Sequence, residues 1–437
     1  MVEYATKLEE FEQAFDTDTL NDEGLNKFYT DTMNTRLDKG GIPPTHKLYN
    51  ACVTPKTKNT HLFLGHVGCG KSTELRKLKQ RFEEESGMQV SVINCSTEAD
   101  LNGLTYGDLL ILMGKHLCYI AEKVGCELDE TLIRKIATFW SEKEILKVLF
   151  EGRNEVFKDD LHTPQVADLI PFFLGLSNEL RFGFDTRKVM RETIKRSSFQ
   201  WIGYMGEVVD AITKKMKGKQ PILIFEEIDK ATDLEKIWEI FSNPVAEMPL
   251  PVIYTFPISL SYHTRFAGVK ANFGKNVHIL PMIKIREIEG TRYQPGIDMM
   301  TSIVERRADI SLFETDEEGS TLDFLIEKTG GVLRDLFHCV SDAALRADYN
   351  GRAKIERADV KAVTIQLSSS LQRLIETGNY PVLKKIHSDM KYKKENENKE
   401  MLLDLMQSLV VLEYNGERWH DLHPLIEDFL RGQGELS

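Results

Sequence analysis

Apolar and polar positions fall into three kinds of run along this chain. Short unbroken apolar runs occur at Leu62–Leu64, at Ile222–Phe225 within PILIFEEIDK, and in PVIYTF (251–256). Runs of this kind read as strands buried on both faces of a parallel sheet. QVSVINCS (89–96) is a further candidate strand. The second kind recurs at helical spacing. Leu75 and Leu78, with Phe82 a turn on, mark a helix after residue 70. Leu109, Leu110, Met113, Leu117 and Ile120 share a face of another, which Thr105 and Asp108 open as a capping box. Leu333, Leu336, Phe337, Val340, Ala344 and Ala347 follow the Gly330-Gly331 turn in the same way. The third kind is alternation, in VVLEYNGERWHDLH, where Asn415-Gly416 predicts a hairpin.

The first strand runs into HLFLGHVGCGKST (61–73), and a helix follows. Gly65, Gly68, Gly70, Lys71 and Ser72 fit G-x-x-x-x-G-K-[ST]. Glycines let the backbone curl so that N–H groups point at phosphate oxygens. Lys71 is expected to reach the β- and γ-phosphates and the Ser72 hydroxyl to ligate Mg²⁺. The helix N-terminus adds partial positive charge beneath them. The expected nucleotide-binding residues are Gly65, His66, Val67, Gly68, Cys69, Gly70, Lys71, Ser72 and Thr73. Cys69 reads as a small residue whose backbone does the work, with a redox switch as the other possibility.

With that cradle in place, ILIFEE reads as the strand that carries the hydrolytic acids. Glu226 is expected to hold Mg²⁺ and Glu227 to orient the attacking water. Asp229 is a candidate to share the acidic role. Thr255, at the end of PVIYTF, is a candidate contact to the γ-phosphate or the water, and Ser259 a weaker one. Arg265 is either a finger toward a neighbouring subunit's γ-phosphate or a surface, salt-bridged arginine.

The series GHVGCGKST, ILIFEEIDK, IYTF and GGVLRDL (330–336) resembles AAA+ and STAND-type P-loop ATPases. Its order is most like the clade of the replication initiators and of bacterial signalling or phage-defence ATPases. The resemblance spans roughly residues 45 to 365 and is strongest at the P-loop. It implies ATP and Mg²⁺ as ligands and makes Arg334 a sensor on the γ-phosphate. EEIDK is similar to the D-D-x-D-K of STAND proteins, with glutamate at the first two acids. Glu226 stands where aspartate is usual, and one extra methylene matters for positioning at this scale.

The expected fold class is α/β: a P-loop NTPase parallel sheet flanked by helices, with a helical insertion, a helical lid and a C-terminal winged helix. Residues 1–44 form an N-terminal segment, helical to about Leu37, and a linker broken at KGGIPPTHK. Residues 45–285 form the ATPase core, with an insertion at about 127–200. Residues 286–365 form the lid and 366–437 the winged helix. The insertion is rich in aromatics, including Phe172, Phe173, Phe182, Phe199 and Trp201. They either pack on one another or form a partner surface.

Composition narrows the function. Net charge is −12, which argues against a general nucleic-acid coat. The helix before the hairpin, KEMLLDLMQSL, has one basic residue, Lys399, against Glu400 and Asp404, a poor match to a phosphate-lined groove. The lysines at Lys391, Lys393 and Lys394 are mixed with acids. The six cysteines show no C-x-x-C pair, so no zinc site or disulfide framework is expected and a reducing cytoplasm fits. The start, MVEYATKLEEFEQAF, has no basic and apolar leader pattern, and no run suits a bilayer. His420 and His423 read as packing residues. The leading expectation is an ATP switch that controls assembly, as a homo-oligomer, or a separate protein effector. The alternatives are a DNA-binding initiator or loader and an ATP-bound scaffold with little turnover. No membrane partner is expected, and DNA is possible but not favoured.

Overall fold

The computed structural model describes residues 3–17, 20–54, 59–141, 164–243, 245–389, 399–414 and 419–436. A five-stranded sheet organises the chain. Its strands are β1 (Thr60–Gly65), β2 (Val90–Asn94), β3 (Ile222–Glu226), β4 (Val252–Pro257) and β5 (Val277–Ile279). Their order is β2-β3-β4-β1-β5, and every pairing is parallel. β5 lies outside the sequence expectations, because three residues carry too little pattern to read.

Every residue of β1, β3 and β4 is buried. Their unbroken apolar runs follow from this, since both faces are covered. Leu62, Leu64, Leu223, Phe225, Val252 and Tyr254 face one side, against the helix Tyr106–Lys123. Phe63, Ile222, Ile224 and Ile253 face the other, against the P-loop helix Lys71–Arg81. Parallel strands end at one edge. The turns after β1, β3 and β4 therefore emerge together, where ligands bind in such sheets.

The chain before β1 holds short helices, Phe11–Ala14, Asp22–Phe28 and Met33–Arg36, where one helix to about Leu37 was expected. Asn21 restarts the chain by accepting from the Gly24 N–H at 2.8 Å, which marks a new N-terminus. Phe11 and Phe15 pack against Phe313 and Phe337.

The described residues between β2 and β3 form helices that include Glu130–Ser141, Val166–Phe182 and Phe184–Lys215. Phe172, Phe173 and Trp201 are buried, and the indole N–H of Trp201 donates to the Leu110 carbonyl at 2.9 Å. Gly114 permits this packing, since a Cβ there would stand 2.8 Å from the Trp201 ring. Phe182 and Phe199 stay exposed. Two more aromatics of this region, Phe150 and Phe157, lie outside the described residues.

Helices Gln294–Glu305, Thr321–Lys328, Leu333–Tyr349 and Arg357–Gln372 follow β5. A two-residue pair, β6 (Thr315–Asp316) with β7 (Gly319–Ser320), sits between the first two. The C-terminal unit has helices Tyr380–Ser388, Lys399–Gln407 and Pro424–Gly432 and an antiparallel hairpin, β8 (Val411–Tyr414) with β9 (Trp419–Leu422). The hairpin tip at Asn415-Gly416, with Lys391, Lys393, Lys394 and Arg418, lies outside the described residues. Both hairpin strands are wholly buried. Val411 and Leu422 join the core that contains their own helices, while Leu412, Tyr414 and Trp419 join the core on the P-loop side of the sheet. No helix among the described residues is long and apolar enough to cross a membrane.

Candidate nucleotide site

The cradle is a backbone structure. β1 ends at Gly65, and Gly68 and Gly70 take left-handed φ of 77° and 98°. Gly68 also admits the lid: a Cβ there would lie 2.9 Å from the Arg334 Cβ. The Arg334 N–H donates to the Gly68 carbonyl at 3.3 Å. The first turn of the helix after Gly330-Gly331 is thereby joined to the P-loop.

A cleft opens over the loop. Val67, Gly68, Gly70, Lys71, Ser72 and Thr73 line it from the cradle, and Glu227 and Asp229 from the turn after β3. Arg334 lines it from the lid, and Phe28, Tyr29 and Arg36 from the N-terminal segment.

Lys71 is buried in this cleft. Its Nζ donates to the Gly65 carbonyl at 2.9 Å and the His66 carbonyl at 2.8 Å, and pairs with Asp229 Oδ2 at 2.9 Å. Burial works against both charges, but each supports the other. The pair holds the Lys71 ammonium above its ordinary pKa and the Asp229 carboxyl below its own.

The three acids after β3 go three ways. Glu226, expected to hold the cation, does not line the cleft. It is fully buried under the P-loop helix, with Oε2 3.3 Å from Arg76 Nη2 and Oε1 unpartnered. Burial pushes its pKa up to about 7, with Arg76 opposing. Glu227 has φ 71°, which a residue with a Cβ rarely adopts. Its carboxylate accepts from Ser96 Oγ and Lys230 Nζ at the cleft wall. Asp229 alone reaches Lys71.

Thr255 does not line the cleft. Its Oγ1 accepts from the Ile228 N–H at 3.1 Å, and its hydroxyl also bonds to Asp229. It holds the acid turn. Ser259 donates to Gln407 Oε1 at 2.9 Å, in the C-terminal unit. Arg265 is at the surface and donates to both Glu235 oxygens at 2.8 Å. Cys69 is 1% exposed and contributes its carbonyl.

That carbonyl leads to a residue the sequence reading missed. Arg36 is buried and donates to Cys69 O and Thr32 Oγ1, each at 2.7 Å, and to the Pro281 carbonyl. It braces the P-loop from the N-terminal segment. Glu74 was also missed. It is buried in the cleft wall, 3.3 Å from the Tyr29 hydroxyl, and burial pushes its pKa up to about 7. A carboxylate directly after GKST was the available signal.

Among the described residues, the group of metal-ligand types that comes together is His387, Asp421 and Glu427. The Arg286 guanidinium already fills it, 2.7 Å from Asp421 and 2.6 Å from Glu427. His420 bonds to the Tyr262 hydroxyl at 2.9 Å, and His423 caps the helix Pro424–Gly432.

No known family profile matches the chain, and no curated protein matches it. Solved structures with a similar fold include the Walker-type ATPase PABY2304 of Pyrococcus abyssi, at 13% identity and TM-score 0.43, covering 96% of this chain and 99% of that one. They include the Aeropyrum pernix ORC1 protein in complex with DNA, at 13% identity and TM-score 0.37, covering 90% and 94%. They also include Cdc6p from Pyrobaculum aerophilum, at 11% identity and TM-score 0.37, covering 97% and 98%. At these values the likeness carries no argument about activity. The α/β fold with its P-loop-type parallel sheet stands on the topology above.

Proposed function

We propose that the chain is an ATP-binding P-loop ATPase that works as a switch. The observation that carries this reading is the Lys71 arrangement: a buried ammonium at the floor of an open cleft, with Asp229 as its counter-ion. The γ-phosphate replaces that carboxylate as the partner of Lys71. Arg334, in the cleft and bonded through its backbone to Gly68, closes the lid onto the same phosphates. Ser72 and Asp229 offer hard oxygen donors in one cleft, which suit Mg²⁺. Bound there with the nucleotide, the cation neutralises phosphate charge. Glu227 is the acid we assign to the attacking water, and Asp229, rather than Glu226, the acid beside the phosphates. The output is a change in how the lid and the C-terminal unit sit, read by another copy of the chain or by a separate effector.

The test is Mg²⁺-dependent phosphate release by the full chain over a range of protein concentrations, with Glu227→Gln alongside. Turnover lost in Glu227→Gln, with ATP binding retained, is the expected result. Failure of the wild type to bind ATP would sink the reading, and binding without turnover would favour the scaffold alternative.

A second reading is a DNA-binding initiator or loader. The burial of β8 and β9 tells against their use as a free wing in this arrangement. Salt-dependent binding of a labelled duplex, weakened by Lys391, Lys393, Lys394 or Arg418 substitutions, would favour it.

A further inference from the structure

The residue His66 occupies a position in the phosphate cradle that only needs a backbone. Its side chain nevertheless has a specific partner. The ring is 2% exposed, and Nε2 accepts from the Glu413 N–H of β8 at 2.8 Å. Burial, followed by the charge of Lys71, pushes the ring's pKa down to about 3, so it is neutral and able to accept. The carbonyl of the same residue accepts from Lys71 Nζ at 2.8 Å. One residue thus joins the phosphate-binding ammonium to the C-terminal hairpin.

Two further bonds make β8 the meeting point of the elements around the cleft. Tyr262, just beyond β4, donates to the Glu413 carboxylate at 2.7 Å. The Tyr414 hydroxyl donates to the Gly330 carbonyl at 2.7 Å, in the turn that opens the Arg334 helix. Gly330 itself lies against the unit, since a Cβ there would stand 2.8 Å from Pro424 and 2.9 Å from Leu412.

We propose that His66 is a positioning residue that couples nucleotide occupancy of the cradle to the seating of β8. The proposal deepens the ATP reading and rests on it. When phosphate draws Lys71 from the His66 carbonyl, the loop shifts at His66, and the bond to Glu413 loosens. The buried Glu413 N–H then loses this bond, which favours unseating of the strand. Coupling of this kind is reciprocal: a hairpin held down by His66 weakens ATP binding by the same factor.

The experiment is hydrogen exchange at residues 411–414 of the full chain, with and without saturating ATP, after ATP affinity has been measured. His66→Phe keeps a ring without an acceptor, and His66→Gln restores an acceptor. In the wild type, exchange at these amides is expected to rise with ATP. In His66→Phe it is fast without ATP and indifferent to it, and ATP binds roughly tenfold tighter. His66→Gln returns both properties toward the wild type. ATP binding by the wild type with unchanged exchange at 411–414 overturns the coupling and leaves the ATP reading standing. A wild-type ATP response retained in His66→Phe also overturns it. No ATP binding by the wild type removes the ATP reading and the coupling together. If His66→Phe fails to fold, unchanged exchange in the wild type still overturns the coupling.

Discussion

The cradle at 65–73 and the acid turn at 226–230 stand opposite each other at one edge of the sheet, yet they are built on different principles. The cradle works through backbone: two left-handed glycines, carbonyls on Lys71 and a helix start. The acid turn works through side chains, and its three acids within four residues take different partners, two on the P-loop helix and one beyond β2. Glu226 goes under the P-loop helix to Arg76, Glu227 to Ser96 beyond β2, and Asp229 to Lys71. A site made of backbone geometry is legible from local residue types. A site made of side-chain pairings depends on what the rest of the fold brings near.

Removing the one side chain the cradle does need has the largest expected effect. Lys71→Ala is expected to weaken ATP binding by about 10- to 100-fold, since a charge-assisted bond is lost and Asp229 is left buried without its partner. Calorimetric titration measures it. Unchanged affinity would mean that the cleft is not a phosphate site.

The next effect separates the acids. Asp229→Asn is expected to cut phosphate release by about tenfold and Glu226→Gln by less than about threefold. The reverse ranking would return Glu226 to the cleft and erase the contrast drawn above.

A smaller effect concerns pH. The folded-state pKa of Glu226 is raised to about 7, above its unfolded value. Its contribution to stability is therefore complete below the unfolded pKa and is lost as pH rises through about 7. Glu226→Gln removes that loss. Its melting temperature is expected to exceed the wild type's by about 1–3 °C at pH 8 and to match it near pH 5. Glu74 titrates with the same sign, so the variant keeps part of the slope. A variant less stable than the wild type at pH 8 would show that Glu226 is a stabilising ion-pair partner.

The smallest effect tests a residue outside both regions. Arg265→Ala breaks an exposed pair with Glu235 and is expected to change stability by less than about 1 kcal/mol. Phosphate release is expected to be unchanged at every protein concentration. A loss confined to high concentration would show that a neighbouring copy uses Arg265 at its own cleft.

The sequence by itself determined the parts whose physics is local. Gly68 and Gly70 are needed where φ is positive, and Lys71 follows at the helix start. Unbroken apolar runs mark β1, β3 and β4 because both faces are buried, and Thr105 with Asp108 opens its helix by capping it. β8 and β9 are read from alternation and the Asn415-Gly416 turn. That pattern fits a half-exposed wing, whereas β8 is wholly buried because other elements cover it. Only the tertiary structure decided which acid meets Lys71, that Thr255 holds the acid turn, and that Arg36 braces the loop from a distant segment. It alone joined His66 to Glu413. These are pairings between elements far apart in the chain. Their energy lies in satisfying buried charges and donors, and no residue announces its partner until folding has removed the water that would otherwise serve it.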